Sequence, residues 1–95
     1  MNLTVIVKEP VYEFARRLPP EHRRAVKQAL KGLRREQGDI RALEQNLSGY
    51  YRLRIGKYRL IFRYADAKSI EAIFLEERSM VYEVFESQFL AKLKS

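Results

Sequence analysis

The sequence predicts an α+β fold: a small, antiparallel-rich sheet with elements in the order β-α-α-β-β-β-α, packed against an N-terminal helical hairpin and followed by a C-terminal helix. Three observations lead there. The stretch at residues 50–64 reads as two alternating runs that meet at Gly56-Lys57, and a glycine in the first central position suits a two-residue type II′ hairpin turn. Upstream, two apolar stripes at helical spacing are separated by Leu18-Pro19-Pro20. Short apolar runs at residues 3–7 and 69–75 have the length and composition of strands.

In chain order, Leu3-Thr4-Val5-Ile6-Val7 is a strand that Lys8-Glu9-Pro10 interrupts. Pro10 fits the first turn of a helix, where its missing N–H costs nothing, and Val11, Phe14, Ala15 and Leu18 form that helix's stripe. A residue before proline is pushed out of the α region, so Leu18-Pro19-Pro20 ends one helix and begins the next. The second helix covers residues 20–36, with Ala25, Val26, Ala29, Leu30 and Leu33 on one side and Arg23, Arg24, Lys27, Lys31, Arg34 and Arg35 over much of the remainder. The short connection makes the two helices an antiparallel pair. Gly38 is read as the left-handed cap after the helix, and residues 39–49 as an irregular segment anchored by Leu43 and Leu47, with Ser48-Gly49 turning into the hairpin. Asp66-Ala67-Lys68 is a second tight connection. It leads to residues 69–75, apolar on both faces apart from Glu71, a buried strand able to pair with the amino-terminal one. Ser79 is the expected N-cap of a last helix of about fourteen residues marked by Val81, Val84, Phe85, Phe89 and Leu93.

Alternation in the hairpin places Tyr51, Leu53 and Ile55 on one face with Tyr58, Leu60, Phe62 and Tyr64, and Arg52, Arg54, Arg59, Ile61 and Arg63 on the other. With a two-residue turn, Ile55 faces Tyr58, Arg54 faces Arg59 and Arg52 faces Ile61. Four guanidinium groups then share a surface, although directly opposed like charges cost a sheet about 0.2–1 kcal/mol per pair. An anionic ligand accounts for that arrangement, because arginine's planar fork holds two phosphate oxygens at once. The plainer reading is a solvated face that happens to be rich in arginine.

Ninety-five residues, 46% of them apolar, are expected to make one domain with a single core across residues 1–95. There is no cysteine, so disulfides and thiolate metal sites are excluded. No apolar run reaches membrane-spanning length and the first residues lack the basic start of a signal peptide, which points to a cytoplasmic protein. The net charge is +7 and is concentrated: residues 16–63 carry fourteen basic and four acidic side chains, whereas residues 66–95 carry four basic and six acidic ones. Such an excess attracts nucleic acid by counterion release, and would equally attract an acidic protein.

Leu18-Pro19, Leu43 with Asn46-Leu47-Ser48-Gly49, Tyr51-Arg52-Leu53-Arg54-Ile55, Tyr58-Arg59-Leu60-Ile61-Phe62, and Arg78 with Val81-Tyr82 together resemble the RelE/ParE superfamily of bacterial toxins from toxin–antitoxin modules, over nearly the whole chain. The resemblance implies a sheet with one concave basic surface, neutralised by a cognate RelB-like antitoxin in a complex, possible as a heterotetramer, that binds operator DNA through the antitoxin. In the RelE branch that surface cleaves messenger RNA in the ribosomal A site with no metal or other cofactor. The sugar 2′-hydroxyl attacks the adjacent phosphate and leaves a 2′,3′-cyclic phosphate. Carried over by residue, Arg52 and Arg54 match the basic positions of the first hairpin strand and Arg59 the arginine on the scissile phosphate. Arg78 matches a basic residue ahead of the last helix, and Tyr82 the tyrosine that orients the substrate. Lys57, Arg63, Arg34 and Arg35 are added as RNA contacts.

The proton-moving residues depart from the family pattern. Where relatives place a lysine, glutamate or histidine as base and a histidine or arginine as acid, this chain has Arg52, Arg54, Glu76 and Glu77, and arginine is a poor base. Glu76, Glu77, Lys57 and Tyr82 remain as candidates, with Glu76 equally suited to pairing with Arg78 or a hairpin arginine. His22, the only histidine, is expected at the surface. Two functions therefore follow from the resemblance: a ribosome-dependent mRNA endoribonuclease, or a ParE-like toxin that poisons DNA gyrase without chemistry of its own. A toxin that has lost activity is a third.

Overall fold

The structure, a computed structural model, describes residues 2–87. Strand β1 (Thr4–Val7) is followed by helices α1 (Glu9–Ala15) and α2 (Pro20–Leu33), strand β2 (Asp39–Ala42), a single 3-10 turn (Gln45–Leu47), strands β3 (Tyr51–Ile55), β4 (Tyr58–Asp66) and β5 (Ser69–Glu77), and helix α3 (Val81–Phe85). The five strands form one sheet in the order β1-β5-β4-β3-β2, with β1 parallel to β5 and every other pair antiparallel. The α+β class and the helical hairpin are as expected, and the order of elements gains one strand. Asp39-Ile40-Arg41-Ala42, expected to be irregular, pairs with Tyr51–Arg54 as an edge strand. Only Ile40 of the four is partly buried, so its strand character comes from a partner that follows it in the chain.

The hairpin has the expected register, with Ile55 opposite Tyr58, Arg54 opposite Arg59 and Arg52 opposite Ile61. Gly56 sits at φ 57° while Lys57 keeps a negative φ, the signature of a type II′ turn. Leu53, Ile55, Tyr58, Leu60 and Phe62 thereby face Val11 of α1 and Val26 and Leu33 of α2 in the main core. On the opposite face Ile61 and Phe74 meet Leu47, Val81 and Phe85. A β-bulge between the Ile61 and Phe62 pairings leaves Ile73 unmatched, so that Ile73 and Phe74, adjacent in sequence, both join this second cluster. The loop after β2 and helix α3 thus cover one part of the face and leave its other part to the arginines.

Three expected helix ends differ, the first being that of α1, which stops at Ala15 instead of continuing to Leu18. Helix α2 stops at Leu33, and the left-handed residue that closes it is Glu36 (φ 54°), not Gly38. The Glu36 N–H donates to the Leu33 carbonyl at 2.9 Å and the Gln37 N–H to the Gly32 carbonyl at 3.0 Å, a Schellman motif. Glu36 also accepts a 2.6 Å hydrogen bond from the Tyr64 hydroxyl, and burial together with this bond pushes the Tyr64 phenol up to about 12. Met80, rather than Ser79, occupies the N-cap of α3, with no side-chain capping bond. Val81, Val84 and Phe85 belong to that helix as expected, whereas Phe89 and Leu93 lie outside the described residues. Among the described residues no helix is long and apolar enough to cross a membrane.

Across the sheet, Glu71 on β5 joins two elements. Its carboxylate accepts from Arg63 Nε at 2.7 Å and stands 3.2 Å from Lys8 Nζ, and its side chain is only 14% exposed. These two hydrogen bonds, Arg63's first, hold its pKa below the usual carboxylate range. Because the folded value is the lower one, the stabilisation is complete above the unfolded carboxylate pKa and disappears as pH falls through the folded value. Glu71→Gln is expected to lower stability by about 1 kcal/mol near neutral pH, a value limited by the half-exposed partners. In urea titrations across pH, the gap between wild type and variant should narrow as pH falls below the ordinary glutamate value of about 4.3 and close once the folded carboxylate is protonated.

Candidate functional site

Strand pairing decides which cations meet. Pairing residues share a face of the sheet, so Arg41 opposite Arg52, Asp39 opposite Arg54, and Arg54 opposite Arg59 all lie on the face away from α1 and α2. The main-chain N–H of Arg78 donates to the Lys57 carbonyl at 2.9 Å, which ties the chain ahead of α3 to the hairpin turn. Through that bond Arg78 and, one helical turn later, Tyr82 reach the same place. Arg41, Arg52, Arg59, Arg78 and Tyr82, with Leu43 and Ser79, line a concavity of about 550 Å³.

Arg59 is part of that lining. One terminal nitrogen donates to the carbonyls of Gly56 and Tyr58, both at 2.9 Å, so the turn itself fixes the guanidinium. Among the described residues no carboxylate comes within 4 Å of it. Burial, and then the like charges of Arg54, Arg52 and Arg78, lower its pKa, while Tyr82 acts in the opposite sense. Arginine remains charged under all ordinary conditions, and Arg59 is therefore a fixed cation crowded by other cations. Arg52 is held differently: its side chain is 11% exposed, donates to the Asp39 carbonyl at 3.0 Å and lies 3.4 Å from the Asp39 carboxylate. Arg54 is half exposed, 4.0 Å from the other Asp39 oxygen, and stands beside the concavity rather than in its lining.

The remaining expected site residues are placed elsewhere. Arg63 shares the face but is engaged by Glu71, with Ile61 of the second apolar cluster between it and Arg59. Lys57 turns to the helical side, where its ammonium lies 5.6 Å from the Tyr58 ring centre. Arg34 and Arg35 line a separate hollow at the end of α2 with Lys31. Glu76 stands opposite Arg59 in the sheet, yet its carboxylate accepts from the Glu77 N–H at 3.0 Å and makes no ion pair within 4 Å among the described residues. His22 is half buried rather than at the surface, with Nδ1 2.7 Å from the Tyr58 hydroxyl on the helical side of the sheet. Among the described residues no histidine, lysine or carboxylate lines the concavity.

Arg41 and Asp39 are the residues that the sequence reading passed over. The signal was present in the alternation of Asp39-Ile40-Arg41, with Ile40 packed on the core and its neighbours turned away, but four residues are too few to separate a strand from a loop by period alone.

No family model and no curated protein matches the chain. Solved structures do. A chain of the toxin–antitoxin complex RelBE2 from Mycobacterium tuberculosis is 27% identical, with a TM-score of 0.73 over 82% of this chain and 100% of that one. A chain of the archaeal RelE-RelB complex from Pyrococcus horikoshii OT3 is 29% identical, with a TM-score of 0.67 over 82% of this chain and 97% of that one. The YoeB/ParE toxin from Agrobacterium tumefaciens, 18% identical with a TM-score of 0.67 over 80% and 99%, shares the fold. The shared sheet and helices, aligned over 100% and 97% of these RelE-type chains, give this protein the fold of the RelE-type toxins of toxin–antitoxin complexes and a sequence similar to theirs.

Proposed function

We propose that the protein is a ribosome-dependent mRNA endoribonuclease whose catalytic surface is the arginine-lined concavity. The observation that carries this reading is Arg59: a guanidinium fixed by two turn carbonyls, without a carboxylate of the described residues within 4 Å, in a hollow shared with Arg41, Arg52 and Arg78. Attack of a 2′-hydroxyl on the adjacent phosphate builds a pentacoordinate phosphorus with two negative charges. Cations fixed beforehand stabilise that state more than the singly charged ground state. Arg59, with Arg52 and Arg78, is assigned to the phosphate under attack. Arg41, on the edge strand, is assigned to a neighbouring phosphate. Tyr82, about one-third exposed at the rim, offers a ring on which an unpaired base stacks. Among the described residues the lining holds no histidine, lysine or carboxylate, and proton transfer then falls to the ribosome, to water or to the substrate. The RelBE2 and RelE-RelB structures are complexes with an antitoxin, and an antitoxin that covered this face would silence it by removing the arginines from reach.

The second reading, a toxin that binds DNA gyrase and performs no chemistry, is favoured by that same absence of an acid or base. Translation with purified ribosomes and a gyrase supercoiling assay separate the two. Messenger RNA cut within the A site and ending in a 2′,3′-cyclic phosphate supports the first reading, and accumulation of cleaved plasmid supports the second.

Two substitutions test the assigned roles. Arg59→Ala should abolish growth arrest and mRNA cleavage while urea unfolding shifts by about 1 kcal/mol or less, because only partly exposed hydrogen bonds are lost. Growth arrest at the wild-type level would remove Arg59 from the mechanism. Tyr82→Ala should slow cleavage at subsaturating ribosomes at least about fivefold, from the loss of one base–ring stack, with Tyr82→Phe close to wild type.

A further inference from the structure

The arginines of the site face are not equivalent, and one carboxylate makes the difference. Asp39 is the only acidic residue, among those described, that forms an ion pair with any of Arg41, Arg52, Arg54, Arg59 and Arg78. It holds Arg52 through two acceptors at once, its own carbonyl at 3.0 Å and Oδ1 at 3.4 Å, both on the same terminal nitrogen. Oδ2 is directed to Arg54. The other guanidinium nitrogens of Arg52 make no hydrogen bond within the described residues, so the clamp leaves donors available on the side of the concavity, which Arg52 lines and Asp39 does not.

The chain is shaped to make this contact. Gly38 enters β2 at φ 121°, a conformation that side chains with a Cβ rarely adopt. A Cβ at this position would stand 2.6 Å from Cδ1 of Leu53, which is itself buried in the core. Glycine is what lets the strand pass closely over β3 and sets Asp39 opposite Arg54 and next to Arg52. The backbone slot and the ion pairs are separate observations that lead to the same residue.

We propose that Asp39 is a positioning residue: it aims Arg52 at the substrate phosphate and draws Arg54 out of the concavity. The proposal rests on the reading of that concavity as a phosphate site. It assigns Asp39 no proton transfer, since its carboxylate is directed to two guanidinium groups and away from the lining. A side chain as long as arginine loses considerable rotamer freedom when it is fixed, and Asp39 removes that cost before substrate arrives, which is how preorganised groups lower a barrier.

The test compares wild type with Asp39→Asn, which keeps the shape and the backbone carbonyl but drops the charge, and with Glu44→Gln, which removes an equal charge from the nearby connection. Two measurements are made on each: the 15N–1H signal of the Arg52 side chain in the free protein, and mRNA cleavage together with ribosome affinity. In Asp39→Asn the Arg52 signal should move to the averaged position of exposed arginines. Cleavage at saturating ribosomes should fall about ten- to a hundredfold, the cost of a misplaced catalytic group, with affinity unchanged or higher. Glu44→Gln should leave all three values as in wild type. An unmoved Arg52 signal, a wild-type cleavage rate in Asp39→Asn, or an equal loss in both variants overturns the proposal. If wild-type protein cuts no mRNA, the nuclease reading fails, and the Arg52 signal alone then decides whether Asp39 aims that side chain.

Discussion

The structure depends on the pairing of β3 with β4 across Gly56-Lys57. A two-residue turn sets the register, and in a strand of period two the register decides the face of every side chain. Leu53, Ile55, Leu60 and Phe62 go to the helices, and Arg52, Arg54 and Arg59 go to the other side. A slip of one residue would send the arginines into the core against Val11, Val26 and Leu33 and expose the apolar set. The burial of the main core therefore also enforces the charge arrangement of the opposite face. Arg59 strengthens the link, because it donates back to the carbonyls of the turn that places it.

That face collects like charges that a sheet does not gain from, and the protein offsets only some of them. Asp39 faces Arg52 and Arg54, and Glu71 takes up Arg63 and Lys8. Arg59 and Arg78 have no carboxylate within ion-pair distance among the described residues, nor has Arg41. The uncompensated cations are the ones gathered around the concavity beside Tyr82. Of the two cations that Asp39 pairs, Arg52 lines the concavity and Arg54 stands beside it, and the apolar cluster beneath α3 bounds it on the side of Ile61. Such a distribution fits a ligand that brings several negative charges and a flat ring together, as single-stranded RNA does.

Local patterns made much of this legible. Alternation and a glycine turn suffice for the hairpin and its register, and helical stripes with prolines between them suffice for α1 and α2. What escaped reading was set by partners distant in sequence. Strand β2 exists because β3 pairs with it, and Arg41 joins the site only through that pairing. The end of α2 was displaced because Glu36, fixed by Tyr64 from across the fold, took the left-handed position in place of the glycine two residues on. Arg63 fell out of the group because a partly buried glutamate on β5 lies opposite it. Lys57, read as a site cation, follows the turn to the helical side. Alternation alone assigns a face, and the choice among cations on one face is made by the carboxylates that tertiary pairing brings to them.

The central claim is that Arg41, Arg52, Arg59 and Arg78 act together as one surface for a polyanion. It is tested most directly by observing the arginine side-chain nitrogens by NMR while a short single-stranded RNA is titrated into the protein. The account predicts that the signals of these four shift together with one affinity that weakens steeply with salt, while those of Arg34, Arg35 and Arg63 move little. Shifts confined to the arginines of α2, or spread evenly over every arginine of the chain, would contradict it.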